Sequence, residues 1–173
     1  MFTRPCLLLV LAALPLRAQA PPPQDELLER LIGDWVLEGP MAGGNVVHDV
    51  TFSWMLQHLY VRMQERSRER EADGRRAYEA EVLIGRDDET GGYAAMWLDV
   101  TGGGGIRGDG IGHAPLTKDA LPFVFHFPDG TPFYTTFIYD RTRDQWRWEM
   151  DGMGKDGREP FARVTLRRAP PSP

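Results

Sequence analysis

The chain has 173 residues, 42% hydrophobic and 26% charged, with 19 glycines, 14 prolines, one cysteine and a formal net charge of −5. These proportions describe one globular domain and exclude a collagen-like, low-complexity or helical membrane protein. The acidic balance argues against a partner that presents a phosphate backbone, so no nucleic acid is expected.

Residues 1–20 predict a cleaved secretory signal. Arg4 gives the positive start, Leu7 to Leu14 the apolar middle, and Ala18-Gln19-Ala20 the small-residue cleavage site, with the cut after Ala20. The apolar run is too short to span a bilayer, which takes roughly 20 residues. The product is therefore expected in the periplasm or secreted. Cleavage removes Cys6, so the exported body must hold its fold by burial, without a disulfide. Residues 21–24 form a Pro-rich linker, residues 25–168 one folded domain, and residues 169–173 a disordered tail.

Leu27, Leu28, Leu31 and Ile32 share one stripe of a helix that starts at Asp25 and Glu26. The spacing predicts two to three turns ending at Gly33. From there the period changes to two. Val46, His48, Val50, Phe52 and Trp54 share one face of a strand, with Val47, Asp49, Thr51 and Ser53 opposite. Leu59, Val61 and Met63 repeat the pattern, and the run continues into Glu65 to Glu71, read as a polar, solvated strand end turned by Asp73-Gly74. Further strands fit Asp34 to Glu38, Tyr78 to Ile84, Tyr93 to Val100, Ile106 to His113, Phe123 to Phe127, Phe133 to Tyr139, Gln145 to Met150 and Phe161 to Arg167. Turn signals such as Pro128-Asp129-Gly130 separate them, and Pro115 to Pro122 offers one further short helical turn. Short connections imply antiparallel neighbours, and closing the sheet removes its two edges. The expected fold is all-β: an antiparallel up-and-down barrel of about 8–10 strands with a short N-terminal helix.

Leu31-Ile32-Gly33-Asp34-Trp35 resembles the Gly-x-Trp signature of lipocalin-like (calycin-like) barrels. Tyr78 to Asp99 and Trp146 to Arg168 resemble a bacterial family of exported lipocalin-like domains of unknown function. The resemblance implies that Trp35 plugs the closed end with Arg167 or Arg168 against it, and that the interior carries a small apolar molecule. One branch, the nitrobindin-like barrels, holds haem through a histidine near the C-terminus. The last histidine here is His126, so this sequence departs from that pattern.

His48 lies on the apolar face of its strand and points inward if the barrel closes. It is either a hydrogen-bonded core histidine or a ligand contact. The other histidines, His58, His113 and His126, form no metal-ligand spacing with it, and no metal or cofactor is expected. The Gly102 to Gly105 and Gly108 to Gly112 runs lack the following helix that a phosphate cradle needs. Trp97 and Asp99 share a face with Tyr93, opposite Ala94, Met96, Leu98 and Val100. The pattern leaves open which side is inside. If the Trp97 side is, Asp99 needs a partner such as Arg62 or Arg86.

The leading expectation is an exported binding protein, monomeric or weakly dimeric. It holds a small apolar or amphipathic molecule against His48, Phe52, Trp54, Met63, Tyr78 and Trp148, without catalysis. The alternatives are an acid/base enzyme using His48, Asp99 or Tyr78, with no nucleophile motif to single out a residue, and a haem-binding barrel.

Overall fold

The computed structural model describes residues 25–101, 106 and 110–170. The signal, linker and last three tail residues, together with Gly102 to Gly105 and Arg107 to Asp109, lie outside the described residues. Within them a helical turn α1 (Glu26–Glu29) precedes ten strands: β1 (Gly33–Met41), β2 (Gly44–Met55), β3 (Tyr60–Ser67), β4 (Glu79–Asp87), β5 (Gly92–Asp99), β6 (Ile111–Ala114), β7 (Ala120–His126), β8 (Pro132–Asp140), β9 (Gln145–Gly154) and β10 (Gly157–Arg168). Each strand pairs antiparallel with its neighbour in sequence, and β10 pairs with β1 from Trp35↔Arg168 to Met41↔Ala162, closing the barrel. Closure gives every strand a neighbour on both sides, although the short β6 covers only part of β5 and β7. Ten strands rather than the eight usual in lipocalins make the barrel about a quarter wider, since diameter grows roughly linearly with strand number.

The helix is shorter than its leucine stripe predicts. Asp25 caps it, accepting from the Leu27 and Leu28 amides at 3.1 Å. The chain then turns at Arg30 so that Leu31, wholly buried, enters the barrel with Leu27 and Leu28. Only a tight turn lets all three leucines reach the same opening. The Tyr93 hydroxyl donates to Asp25 at 2.9 Å, which fastens the turn to β5. Pro115 to Pro122 form no helix: Ala120, Leu121 and Pro122 belong to β7, with Leu121 fully buried. The ring of Pro122 is tolerated because the β6–β7 register pairs His113 with Val124, which puts Pro122 just past the end of β6.

Alternation decides inside from outside along every strand. The outer wall carries exposed ion pairs, among them Arg62–Glu81, Arg68–Asp49 and Arg163–Asp151. A lipid-facing barrel presents an apolar band there instead. No helix of the described residues is long and apolar enough to cross a membrane. Inside, the α1 end is packed solid by Leu27, Leu28, Leu31, Trp35, Trp146 and Leu166, each at most 5% exposed.

Candidate functional site

The strand register builds two ends of different character. At the α1 end the Trp35 indole donates to the Leu31 carbonyl at 2.6 Å, and the Arg168 guanidinium lies 3.8 Å from the Trp35 ring centroid. Arg168 also donates to the carbonyl oxygens of Ile32 at 2.6 Å and Arg30 at 3.3 Å, so it ties the helical turn to the last strand. Arg167 faces outward and sits 3.5 Å from Glu38. The residue that stacks on Trp35 is therefore Arg168, because strand parity turns position 167 to solvent.

Toward the other end the inner face becomes polar. Val50 pairs with Glu65, Glu65 with Ala80, and Ala80 with Asp99, while His48 pairs with Ser67. His48 and Glu65 are thus diagonal neighbours on β2 and β3, a spacing that long side chains bridge. His48 Nδ1 meets Glu65 Oε1 at 2.6 Å, with the residues 3% and 1% exposed. Tyr78, in the segment between β3 and β4, stacks on the His48 ring at 5.8 Å. Its hydroxyl donates to Asp99 at 3.3 Å and accepts from the Trp97 indole at 3.3 Å. Asp99 also accepts from the Thr101 amide and hydroxyl. The expected partners of Asp99 are committed elsewhere: Arg62 bonds Glu81 and Arg86 lies by Asp25. The Trp97 side of β5 is the inner one.

Burial pushes the Glu65 carboxyl above the ordinary carboxylate range. The hydrogen bond and charge of His48 oppose that rise, and Asp99 adds to it. Burial also pushes the Tyr78 phenol up, reinforced by the negative charges of Glu65 and Asp99, so Tyr78 stays a neutral donor. Glu65 Oε2 is buried and has no hydrogen-bond partner among the described residues.

Below this cluster lies an aromatic layer. Trp97 contacts Trp148 at 5.7 Å and Phe125 at 6.2 Å, and Trp148 stacks on Phe137 at 4.4 Å while donating to the Thr135 hydroxyl at 2.6 Å. Of the residues expected to line the interior, His48 and Tyr78 come together. Phe52, Met63 and Trp148 are sealed in the core beneath them. Trp54 lies at the opposite end, where its indole donates to Glu29 at 2.7 Å. Its face was read correctly, but its distance along the strand removes it from the His48 neighbourhood.

Sequence reading missed Glu65 and Ser67, which it placed on a solvated strand end. The available signal was parity: Val61 and Met63 point inward, so 65 and 67 must follow. His113 and His126 are exposed, and His58 sits beside Trp54 in the exposed loop after β2, so His48 alone of the four histidines is interior. The C-terminal histidine that nitrobindin-like haem ligation requires is not offered by this chain. No cluster of three or more His, Cys, Asp or Glu suited to a metal ion occurs among the described residues.

A separate open cleft of about 490 Å³ lies outside the wall near Asp119, Tyr139 and Arg143. Its charges pair with one another, Arg141 with Asp119 and Arg143 with Asp140. The architecture is consistent with the broad calycin and lipocalin-like class of closed antiparallel barrels. No protein-family model matches the chain, and no curated protein matches it either.

Proposed function

We propose that this barrel binds a small amphipathic molecule in the half of its interior away from α1. One observation carries the reading. At the α1 end the three leucines, Trp35 and Trp146 close the middle of the barrel, with Trp54 and Tyr139 partly exposed around them, whereas at the other end the inward-facing Met41, Val46, Tyr78, Trp97, Asp99 and Phe133 keep part of their surface in contact with solvent. An aromatic floor with a few convergent polar groups is the usual composition of a small-molecule site. Ten strands supply more width than the side chains of an eight-stranded barrel need to fill. The exported location inferred from the N-terminal segment fits a carrier or scavenger working outside the cytoplasm.

The test is native mass spectrometry of the purified protein, followed by solvent extraction. A co-purified organic molecule, or uptake of an added naphthalene-bodied probe at one per chain, supports the reading. A protein that carries nothing and takes up no such probe contradicts it.

A second reading, an acid/base enzyme, is favoured by the His48–Glu65 contact at 2.6 Å. A carboxylate that orients an imidazole beside a neutral phenol is a recurring arrangement for moving a proton. It predicts a reaction lost in His48→Gln while binding of the same molecule persists.

A further inference from the structure

We infer that Glu65 and His48 form the recognition floor for a nitrogen donor, and that the ligand is an amine carried on an apolar, ring-sized body. The inference rests on the binding reading above and goes beyond it by naming the head group.

The starting point is an unmet acceptor. Buried polar atoms are nearly always hydrogen-bonded, and a buried group left unmet costs about 1–3 kcal/mol, more if charged. Glu65 Oε1 takes its bond from His48, but Oε2 has no partner among the described residues although Glu65 is 1% exposed. The Tyr78 hydroxyl is otherwise engaged, since it donates to Asp99. With Nδ1 turned to Glu65, the tautomer that donates there presents Nε2 of His48 as a second acceptor. That nitrogen makes no hydrogen bond among the described residues.

Two adjacent acceptors select the head group. An ammonium or primary amine brings several N–H donors and can meet both. An alcohol brings one donor and meets only one. A carboxylate brings none, and would face Glu65 with Asp99 close by. The surrounding rings favour the same choice, because the faces of Trp97 and Tyr78 attract a cation as well as an apolar body.

Tyr78 controls access. It covers His48 from a segment that belongs to no strand, and its two hydroxyl contacts are both 3.3 Å, long for hydrogen bonds of this type. A swing of this one ring uncovers the pair without disturbing the barrel ladder.

The experiment is isothermal titration calorimetry of the purified protein with 1-naphthylmethylamine, 1-naphthalenemethanol and 1-naphthoic acid, which share one apolar body. The amine is expected to bind at least about tenfold tighter than the alcohol, with the acid weakest. Glu65→Gln is expected to erase the amine's advantage while leaving the alcohol within about threefold of its wild-type affinity. Equal binding of amine and alcohol, or an amine preference that survives Glu65→Gln, overturns the inference but leaves the binding reading standing. Failure of all three probes with folded protein removes both.

Should Glu65→Gln not fold, imidazole ¹⁵N resonances of the wild type decide. The amine is expected to move the Nε2 resonance of His48 and the alcohol to leave it nearly in place. An Nε2 resonance indifferent to the amine overturns the inference.

Discussion

His48 Nδ1 and Glu65 Oε1 stand 2.6 Å apart on neighbouring strands, inside a barrel whose other inward-facing side chains are mostly apolar. Removing one partner leaves the other without its hydrogen bond in a water-poor site, which costs about 1–3 kcal/mol. His48→Ala and Glu65→Ala should each destabilise by about that amount, and the double variant by clearly less than the total of the two. Urea unfolding of the four proteins measures the coupling. Additive losses would mean that the two groups do not act as a pair.

Because burial raises the Glu65 carboxyl, the folded chain holds this proton more tightly than the unfolded chain does. The associated stability is complete below the ordinary value of 4.5 and is lost as pH rises through the raised one. The stability of the wild type minus that of Glu65→Gln should therefore fall as pH rises above about 4.5. Asp140 runs the other way. Hydrogen bonds from Thr142 and then Arg143 hold its carboxyl at about 2, so its contribution is present above 3.8 and lost on acidification through about 2. Asp140→Asn should flatten that acid limb in melts between these limits and melt below the wild type above 3.8, the two converging in acid.

Arg168 and Arg167 are adjacent in sequence and opposite in role. Arg168→Ala loses the face of Trp35 and two carbonyl bonds, and should cost about 2 kcal/mol. Arg167→Ala loses one exposed contact to Glu38 and should cost less than about 0.5 kcal/mol. Thermal unfolding of the two variants separates them, and equal losses would contradict the stacking role given to Arg168.

Gly112 lies directly under the Phe125 ring, where an added Cβ would come within 2.5 Å of it. Gly112→Ala must shift that ring, whose neighbour Trp97 lies at 6.2 Å, and should cost about 1–3 kcal/mol while disturbing the Trp97 indole resonance. Gly152→Ala meets no atom within 4 Å and serves as the control.

Much of the barrel was legible because two-residue alternation survives along most of the long strands, β10 breaking it at the irregularity between Pro160 and Ala162. The inward set of β2, from Val46 to Trp54, is visible in the sequence alone. The position of Trp35 at the start of β1 was legible too, through the Gly-x-Trp pattern. Glu65 was not, because arginines and glutamates flank it and composition outweighed parity. The side of β5 was ambiguous because Ala94, Met96 and Leu98 are as apolar as Tyr93 and Trp97, and only pairing with β4 decides between them. The helix length depended on where the leucines had to go, which is a property of the barrel mouth rather than of helical propensity. Strand parity could not say at which end Trp54 lies relative to Tyr78, since that follows from closure and register.

The five tryptophans give a direct test of where a ligand sits, because their indole N–H groups bond to five different partners: the Leu31 carbonyl, Glu29, Tyr78, the Arg30 carbonyl and Thr135. Titration with 1-naphthylmethylamine, followed by indole N–H resonances in NMR, should move Trp97 most and Trp148 less, while Trp35, Trp54 and Trp146 hold still. Movement confined to Trp54 or Trp35, or none at saturating probe, would contradict a binding site in the half of the barrel away from α1.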